Sequence, residues 1–144
     1  MNELLDQFAI SLLIEQYFYG VDRRDAALIR NCFADEATYS SDAGALNMDS
    51  GDEIGRRLGR GGRYAQTSHI RSSQRIEVTG DTATADTYAI AYLVTDTTAG
   101  GAVLVRGLQY RDTLARKADG WKIVRRHHST KWQYEETCTE PMPV

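Results

Sequence analysis

The sequence predicts a single α+β domain, in which N-terminal helices pack on a strongly curved, mostly antiparallel sheet. Three observations predict it. Apolar residues recur at helical spacing in the first part of the chain, and the part after Tyr64 is rich in Thr, Val, Ile and Tyr. Short turns that contain glycine divide this second part into segments of strand length. Helices followed by strands are typical of an α+β architecture, and 144 residues are enough for one core.

The first helix is predicted from Glu3 to Val21, because its apolar residues recur at spacings of three and four and give a wide buried face. Gly20 and the charged run at 22–25 interrupt it. Asp25 is placed to cap a second helix that reaches Phe33. The chain is therefore expected to begin with a helical hairpin.

Two shorter elements follow the hairpin. An extended stretch is predicted from Ala37 to Ser41. Ser50 with Glu53 three residues later has the pattern of a capping box, which opens a short third helix. Glycines within 59–62 end that helix.

Four long strands are predicted in the rest of the chain. They run from Ala65 to Thr79, from Thr82 to Asp96, from Ala102 to Lys117 and from Trp121 to Tyr134. Their connections are short, so successive strands are expected to be antiparallel neighbours. A coiled sheet folded around the first helix leaves a conical space, which is the candidate pocket. The single domain spans 1–144, and residues 135–144 are predicted to be a loose tail.

The second strand is apolar on both faces. Tyr88, Ile90, Tyr92 and Val94 share one face, and Thr87, Ala89, Ala91 and Leu93 share the other. A sheet that is apolar on both faces is covered on both faces. We therefore expect the helices on one side and a second copy of the chain on the other, in a homo-oligomer.

Composition argues against several classes of protein. The chain has 17 basic and 20 acidic residues, a net charge of −3, which is unlike the basic surface of a nucleic-acid-binding protein. No apolar run approaches the roughly 18 residues of a membrane helix. Glu3 and Asp6 stand where a signal peptide carries Lys or Arg. We expect a cytoplasmic protein that binds neither nucleic acid nor membrane.

The motifs of metal-dependent and cofactor-dependent enzymes are missing from the sequence. It contains no HExxH, GxSxG, GxGxxG or GxxxxGK[ST] pattern. Cys32 and Cys138 form no CxxC, and the three histidines are not spaced with carboxylates or thiols as a ligand set. We therefore expect free thiols, no metal and no cofactor, with side chains carrying any chemistry.

Three residues are candidates for that chemistry. His69 lies early in the first long strand, and histidine is the side chain best suited to proton transfer near neutral pH. Asp22 ends the first helix, where the helix dipole disfavours a carboxylate unless something else holds it. Tyr17 precedes Asp22 by five residues, so the two share a helix face only if the helix loosens near Gly20. The alternatives are a surface histidine, a solvated turn carboxylate and a core tyrosine.

The segments QYFYGVDRRD, FADEATY, GDEI, TSHIRSS, TGDTATAD and DGWKIVRR together resemble the SnoaL-like branch of the nuclear transport factor two superfamily. The resemblance covers nearly the whole chain. It implies a conical α+β barrel whose cavity holds an Asp–His pair, and it places Asp22 and His69 at the positions of that pair. Tyr17 stands at the position of a tyrosine in the bile acid dehydratases of this branch, and Arg116 at that of a functional arginine in its dehydrochlorinases. The resemblance also favours a homotrimer over a homodimer.

The match is not complete. The common His-x-x-Ser-Asn strand has Ser73 in place of the Asn that often faces the cavity. Strict alternation also places His69 opposite Ile70 and Ile76, so an inward His69 requires a bulge between Ser72 and Ile76. Ser73 and Arg116 remain candidate substrate contacts.

Several further residues have candidate or ordinary roles. Tyr39, Tyr110 and Trp132 are predicted to be cavity walls, with ordinary packing as the alternative. His127 and His128 point to opposite faces of the last strand, so at most one of them enters the cavity. The arginines within 56–63 are interpreted as a solvated helix face.

Two functions are compatible with this pattern. The first is a cofactor-independent lyase of the dehydratase type, or an isomerase, acting on a small hydrophobic cyclic molecule in an enclosed cavity. His69 would be the general base, Asp22 its partner and Tyr17 a proton donor or anchor. The alternative is a non-catalytic small-ligand-binding protein or a structural subunit with the same fold, which needs neither Asp22 nor His69.

Overall fold

The computed structural model describes residues 2–95 and 101–137, and it has the predicted α+β architecture. The helices are α1 (Glu3–Arg23), α2 (Ala26–Asn31) and α3 (Gly51–Gly59), with a 3₁₀ turn at Asp42–Gly44. The strands are β1 (Phe33–Ser41), β2 (Asn47–Met48), β3 (Gln66–Thr79), β4 (Thr82–Val94), β5 (Ala102–Lys117) and β6 (Gly120–Thr137). No helix among these residues is both long and apolar enough to cross a membrane.

Helix α1 continues two residues beyond its predicted end, through Gly20 and Asp22. Gly20 is buried where α1 packs on α2, and a Cβ at this position would lie 3.0 Å from Cγ1 of Ile29. The glycine therefore allows the two helices to approach closely and does not interrupt α1. The helix ends at Arg23, and the next residue, Arg24, caps it with a φ of 57°, in the left-handed region.

The second helix is shorter than predicted. Asp25 caps it as expected, accepting a hydrogen bond of 2.9 Å from the amide of Leu28. The helix ends at Asn31 because the following residues join the sheet, where the amide of Ile123 donates to the carbonyl of Cys32. Phe33 is therefore the first residue of β1 and not the last of a helix.

The six strands form one sheet in the order β2-β1-β6-β5-β4-β3. Strands β3 to β6 are successive antiparallel neighbours, as their short turns predict. Strand β1 pairs in parallel with β6, and β2 covers the edge of β1. Strand β6 continues to Thr137, so residues 135–137 belong to it and not to a tail, while 138–144 lie outside the described residues.

A bulge divides β3. The pairing moves from Arg71 opposite Ala89 to Gln74 opposite Thr87, so β3 uses one more residue than β4. The predicted bulge is present, and the register shift begins slightly earlier than expected. His69 and Ile76 consequently face the same side of the sheet, toward α1.

We define the inner face of the sheet as the side packed on the helices and the outer face as the opposite side. Small buried residues of β4 lie on the inner face, and they leave room beside α1: Ala83, Ala85, Thr87, Ala89 and Ala91. Large apolar side chains are exposed on the outer face: Ile70, Tyr88, Tyr92, Trp132 and Tyr134. The inner face therefore offers space for a ligand, and the outer face has an apolar surface that the described residues leave exposed.

Candidate functional site

A cavity of ≈ 330 Å³ lies between α1, the end of α3 and the inner face of the sheet. Its apolar walls are Val21, Leu46, Leu58, Ala91, Leu93 and Leu108, and its aromatic walls are Tyr17, Tyr39, Tyr64 and Tyr110. The polar side chains that reach it include Thr67, His69 and His128. A small apolar cavity with a few convergent polar groups is typical of a site for a small molecule.

Asp22 and His69 are in direct contact at the wall of this cavity. Nδ1 of His69 lies 2.6 Å from Oδ1 of Asp22, and the His69 side chain is 9% exposed. The amide of His69 donates to Oδ2 of the same carboxylate at 2.8 Å, and the hydroxyl of Thr67 donates to Oδ1 at 2.8 Å. These three contacts explain how a carboxylate is kept at the unfavourable end of a helix.

The pKa of Asp22 follows from these contacts. Burial acts to raise the pKa of this carboxyl, but the hydrogen bonds and charge of His69, with that of Thr67, hold it below the usual value. Asp22 is therefore ionised and accepts a hydrogen bond from the Nδ1–H of His69. The lone pair of the neutral imidazole is then on Nε2, and Phe18 stacks on the ring with centroids 5.7 Å apart.

Tyr17 lies on a different wall of the cavity from the Asp22–His69 pair. It is buried, and its hydroxyl is 3.4 Å from that of Tyr39. Burial raises the pKa of Tyr17, although the charge of Arg126 acts in the opposite direction. Tyr17 is consequently a protonated phenol at neutral pH, able to donate a hydrogen bond.

Arg126 and Asp112 form a buried ion pair beneath the cavity. No motif in the sequence predicts this pair. The two side chains are fully buried, and two hydrogen bonds of 2.7 Å join them. The guanidinium lies 4.1 Å from the ring centroid of Tyr17 and 4.7 Å from that of Tyr110. The pair therefore supports two of the aromatic walls.

His128 is a second histidine in the cavity. Its ring stacks on Tyr110, with centroids 4.9 Å apart and planes 9° from parallel. Neither ring nitrogen has a hydrogen-bond partner among residues 2–95 and 101–137. Burial, followed by the charge of Arg126, lowers the pKa of His128 to about 4, so the ring is neutral near pH 7.

His127 points away from the cavity, as alternation along β6 requires. Its Nδ1 lies 2.8 Å from the hydroxyl of Ser40, and its Nε2 lies 2.9 Å from Asp42. His128 is therefore the histidine of this pair that enters the cavity.

Three predicted substrate contacts lie away from the cavity, and the expectation that they line it is wrong. Ser73 is exposed in the bulge of β3. Trp132 is on the outer face, 48% exposed, and covers Gly107, where a Cβ would lie 2.1 Å from the indole. A register shift lies at each of these positions. Strict alternation along the strand therefore assigns both residues to the wrong face of the sheet.

Arg116 is the third of these residues, and its side chain is paired with Asp6 near the start of α1. Its Nη1 and Nη2 donate to the two oxygens of Asp6 at 2.9 Å, and its Nε donates to Asp81 at 3.0 Å. The guanidinium also lies 4.5 Å from the ring of Trp121. Arg116 thus joins α1 to the sheet. Tyr39 and Tyr110, in contrast, line the cavity as predicted.

No group of three or more His, Cys, Asp or Glu side chains within residues 2–95 and 101–137 is arranged to hold a metal ion.

Comparison with known proteins gives one family and many similar folds. A family model described as a SnoaL-like domain matches residues 2–127. None of the curated proteins matches the sequence.

Three solved structures illustrate the similarity of fold. A provisionally assigned scytalone dehydratase from Novosphingobium aromaticivorans DSM 12444 is 22% identical, with a TM-score of 0.80 over 99% of this chain and 95% of that one. A hexachlorocyclohexane dehydrochlorinase, LinA-type3 from Novosphingobium barchaimii LL02, is 16% identical, with a TM-score of 0.82 over 99% and 97%. An NTF2-like protein with a cystatin-like fold from Novosphingobium aromaticivorans is 24% identical, with a TM-score of 0.71 over 89% and 83%. At these identities the likeness is one of fold.

Proposed function

Because the chain belongs to the SnoaL-like domain family, we propose that it is a cofactor-independent lyase of the dehydratase type, or a double-bond isomerase. Its substrate would be a small hydrophobic cyclic molecule held in the cavity between α1 and the sheet. One observation carries the proposal: the Asp22 carboxylate lies 2.6 Å from His69 at the wall of an apolar cavity.

His69 would act as the general base through Nε2. Asp22 accepts a hydrogen bond from Nδ1–H, which fixes the tautomer and stabilises the imidazolium that forms when Nε2 takes a proton from the substrate. The proton removed would come from a carbon next to a carbonyl group. The electrons of that C–H bond then form a double bond, and in a dehydration the hydroxyl on the next carbon leaves as water after it is protonated.

Two uncharged side chains on other walls of the cavity complete this arrangement. Tyr17 is a phenol that can donate to the departing oxygen or hold a substrate oxygen. His128 is a neutral imidazole that lines the cavity, and its ring nitrogens, which have no partner among the described residues, would bind a substrate carbonyl or hydroxyl. A substrate with one carbonyl and one hydroxyl on an apolar ring would match these groups.

The direct test uses a panel of cyclic β-hydroxy ketones that differ in ring number. Elimination converts them to conjugated enones, which are followed by ultraviolet absorbance. We expect turnover of at least one ring class by the native protein and none by His69→Gln, a variant of similar size. Binding of the panel without turnover would contradict the lyase and favour the non-catalytic ligand-binding protein.

A second test examines the Asp22–His69 contact without a substrate. Asn at position 22 keeps the size of the side chain but cannot stabilise an imidazolium ion. We therefore expect the Nδ1 proton of His69 to resonate at lower field in the NMR spectrum of the native protein, where its hydrogen bond to Asp22 is charge-assisted, than in Asp22→Asn. The ring resonances of His127, which does not contact Asp22, serve as an internal control, and an identical Nδ1 proton resonance of His69 in the two proteins would contradict the proposed pair.

We also propose that the protein is a homo-oligomer, a trimer or otherwise a dimer, assembled through the outer face of the sheet. Five large apolar side chains of the described residues are exposed on that face, among them Ile70 at 55% exposure, and five more are exposed along α1. Light scattering at micromolar concentration is expected to give a multiple of 16.1 kDa. Lysines at Ile70 and Tyr92 should lower that mass, while Thr84→Lys on the same face should not. A monomeric native protein would contradict the proposal.

A further inference from the structure

Basic side chains reach the cavity without acidic ones beside them. Arg24, Arg57 and Arg106 all line it, and no Asp or Glu is among the described lining residues. The nearest carboxylate of the proposed site, that of Asp22, lies behind His69 and is already paired with it. The charge that these arginines bring to the cavity therefore depends on their own hydrogen-bond and ion-pair partners.

Arg24 has only neutral partners among the described residues. Its Nη2 donates to the carbonyl oxygens of Tyr64 and Ala65, the second at 3.2 Å. Gly61 packs against the side chain, since a Cβ there would lie 2.3 Å from Nε of Arg24, and its φ of +65° also suits glycine. The side chain is thus held at the edge of the cavity, and no carboxylate of residues 2–95 or 101–137 is paired with it.

Arg106 is similar. It lies on the inner face of β5, half-buried, and its Nε donates to the amide oxygen of Gln133 at 3.2 Å. Arg57 differs from both, because its Nη1 is paired with the carboxylate of Glu53 at 3.2 Å. Within the described part of the chain, two guanidinium groups without an acidic partner therefore bring positive charge to a largely apolar cavity.

From this charge we infer that the cavity binds an amphipathic organic acid, with its ring among the apolar walls and its carboxylate at the guanidinium of Arg24, of Arg106 or of both. The inference deepens the proposed function, on whose cavity it rests. Guanidinium groups bind carboxylates through paired, charge-assisted hydrogen bonds. A neutral ligand would fill the same walls but leave both charges unpaired, so the arginines would discriminate between an acid and its neutral analogue.

The test compares two probes of nearly equal shape, 2-naphthoate and its uncharged amide, 2-naphthamide. Calorimetric titration at pH 7 is expected to give about tenfold tighter binding of the acid, which corresponds to about 1.4 kcal/mol. The preference should shrink as salt is raised, because the arginines are partly exposed. Equal affinities, or no binding of either probe, would overturn the inference.

Variants then locate the preference. Arg24→Gln and Arg106→Gln should each reduce it, and the double variant should abolish it while leaving the affinity for the amide unchanged. Arg106→Lys should retain part of it, and Arg56→Gln, the same charge change outside the cavity lining, should retain all of it. A preference that persists in the double variant would contradict the proposed carboxylate site.

The same measurements separate this inference from the proposed reaction. Binding of the acid does not require the base, so His69→Gln should keep the preference in full. A protein that prefers the acid but converts no member of the ketone panel, including members with a carboxylate on the ring, would refute the lyase and leave the anion site standing. A protein that turns over a ketone but binds both probes equally would support the lyase and refute the anion site.

Discussion

Replacement of His69 by Ala is expected to lower kcat/KM for the proposed elimination by about 10²- to 10⁴-fold, the range in which a positioned general base contributes. The structure gives two reasons for a large effect. His69 is held by Asp22 through both its ring and its backbone amide, so its position is fixed before a substrate binds. Nothing else in the described lining is an equivalent base, because the neutral His128 is a much weaker one.

The effects of Asp22→Asn and His69→Ala should not add. Asp22 acts on the reaction only through His69, so the double variant should be little slower than His69→Ala alone. The control is Thr67→Val, which removes one hydrogen bond to Asp22 and should cost less than Asp22→Asn. Rate losses that multiply in the double variant would show that the two side chains act independently.

Arg126→Met is expected to have the largest effect on stability. It leaves Asp112 fully buried without its partner, and breaking one side of a buried pair typically costs about 3–5 kcal/mol. It also removes the cation beneath the ring of Tyr17. Chemical denaturation followed by circular dichroism measures the free energy of unfolding and shows whether the variant folds.

The matched control removes both charges. Arg126→Met with Asp112→Leu leaves no unpaired buried ion, so the double variant should recover much of the stability that the single variant loses. A double variant less stable than Arg126→Met would mean that the loss comes from packing around the pair and not from the unpaired carboxylate.

The sheet could be predicted well because its signals are local. Turn residues separate β3 to β6, and the predicted bounds of β5 are those observed. The parallel contact between β1 and β6 could not be predicted, since it joins residues about 90 positions apart and leaves no periodic trace in either segment. The same contact ends the second helix before Phe33, because it makes Phe33 part of β1.

The site was predictable only where one residue could be judged by itself or by resemblance. The pairing of Asp22 with His69 could be predicted in this way. The bulge in β3 could also be predicted, because strict alternation puts His69 and Ile76 on opposite faces of the strand. Arg126 looks like any charged residue of a strand until the register places it beside Asp112 on the neighbouring strand. His128 could be placed on one face, but which face is inner depends on the whole sheet.

The bulge of β3 makes the length of this strand matter more than the identity of its residues at the bulge. Ser72 and Ser73 are exposed, so a survey of all substitutions there would find them nearly silent. Deleting either one would restore simple alternation and turn one half of the strand over, exposing either His69 or Ile76 and Val78. Homologues in which His69 faces the helices should therefore vary freely in sequence at these two positions while preserving their number.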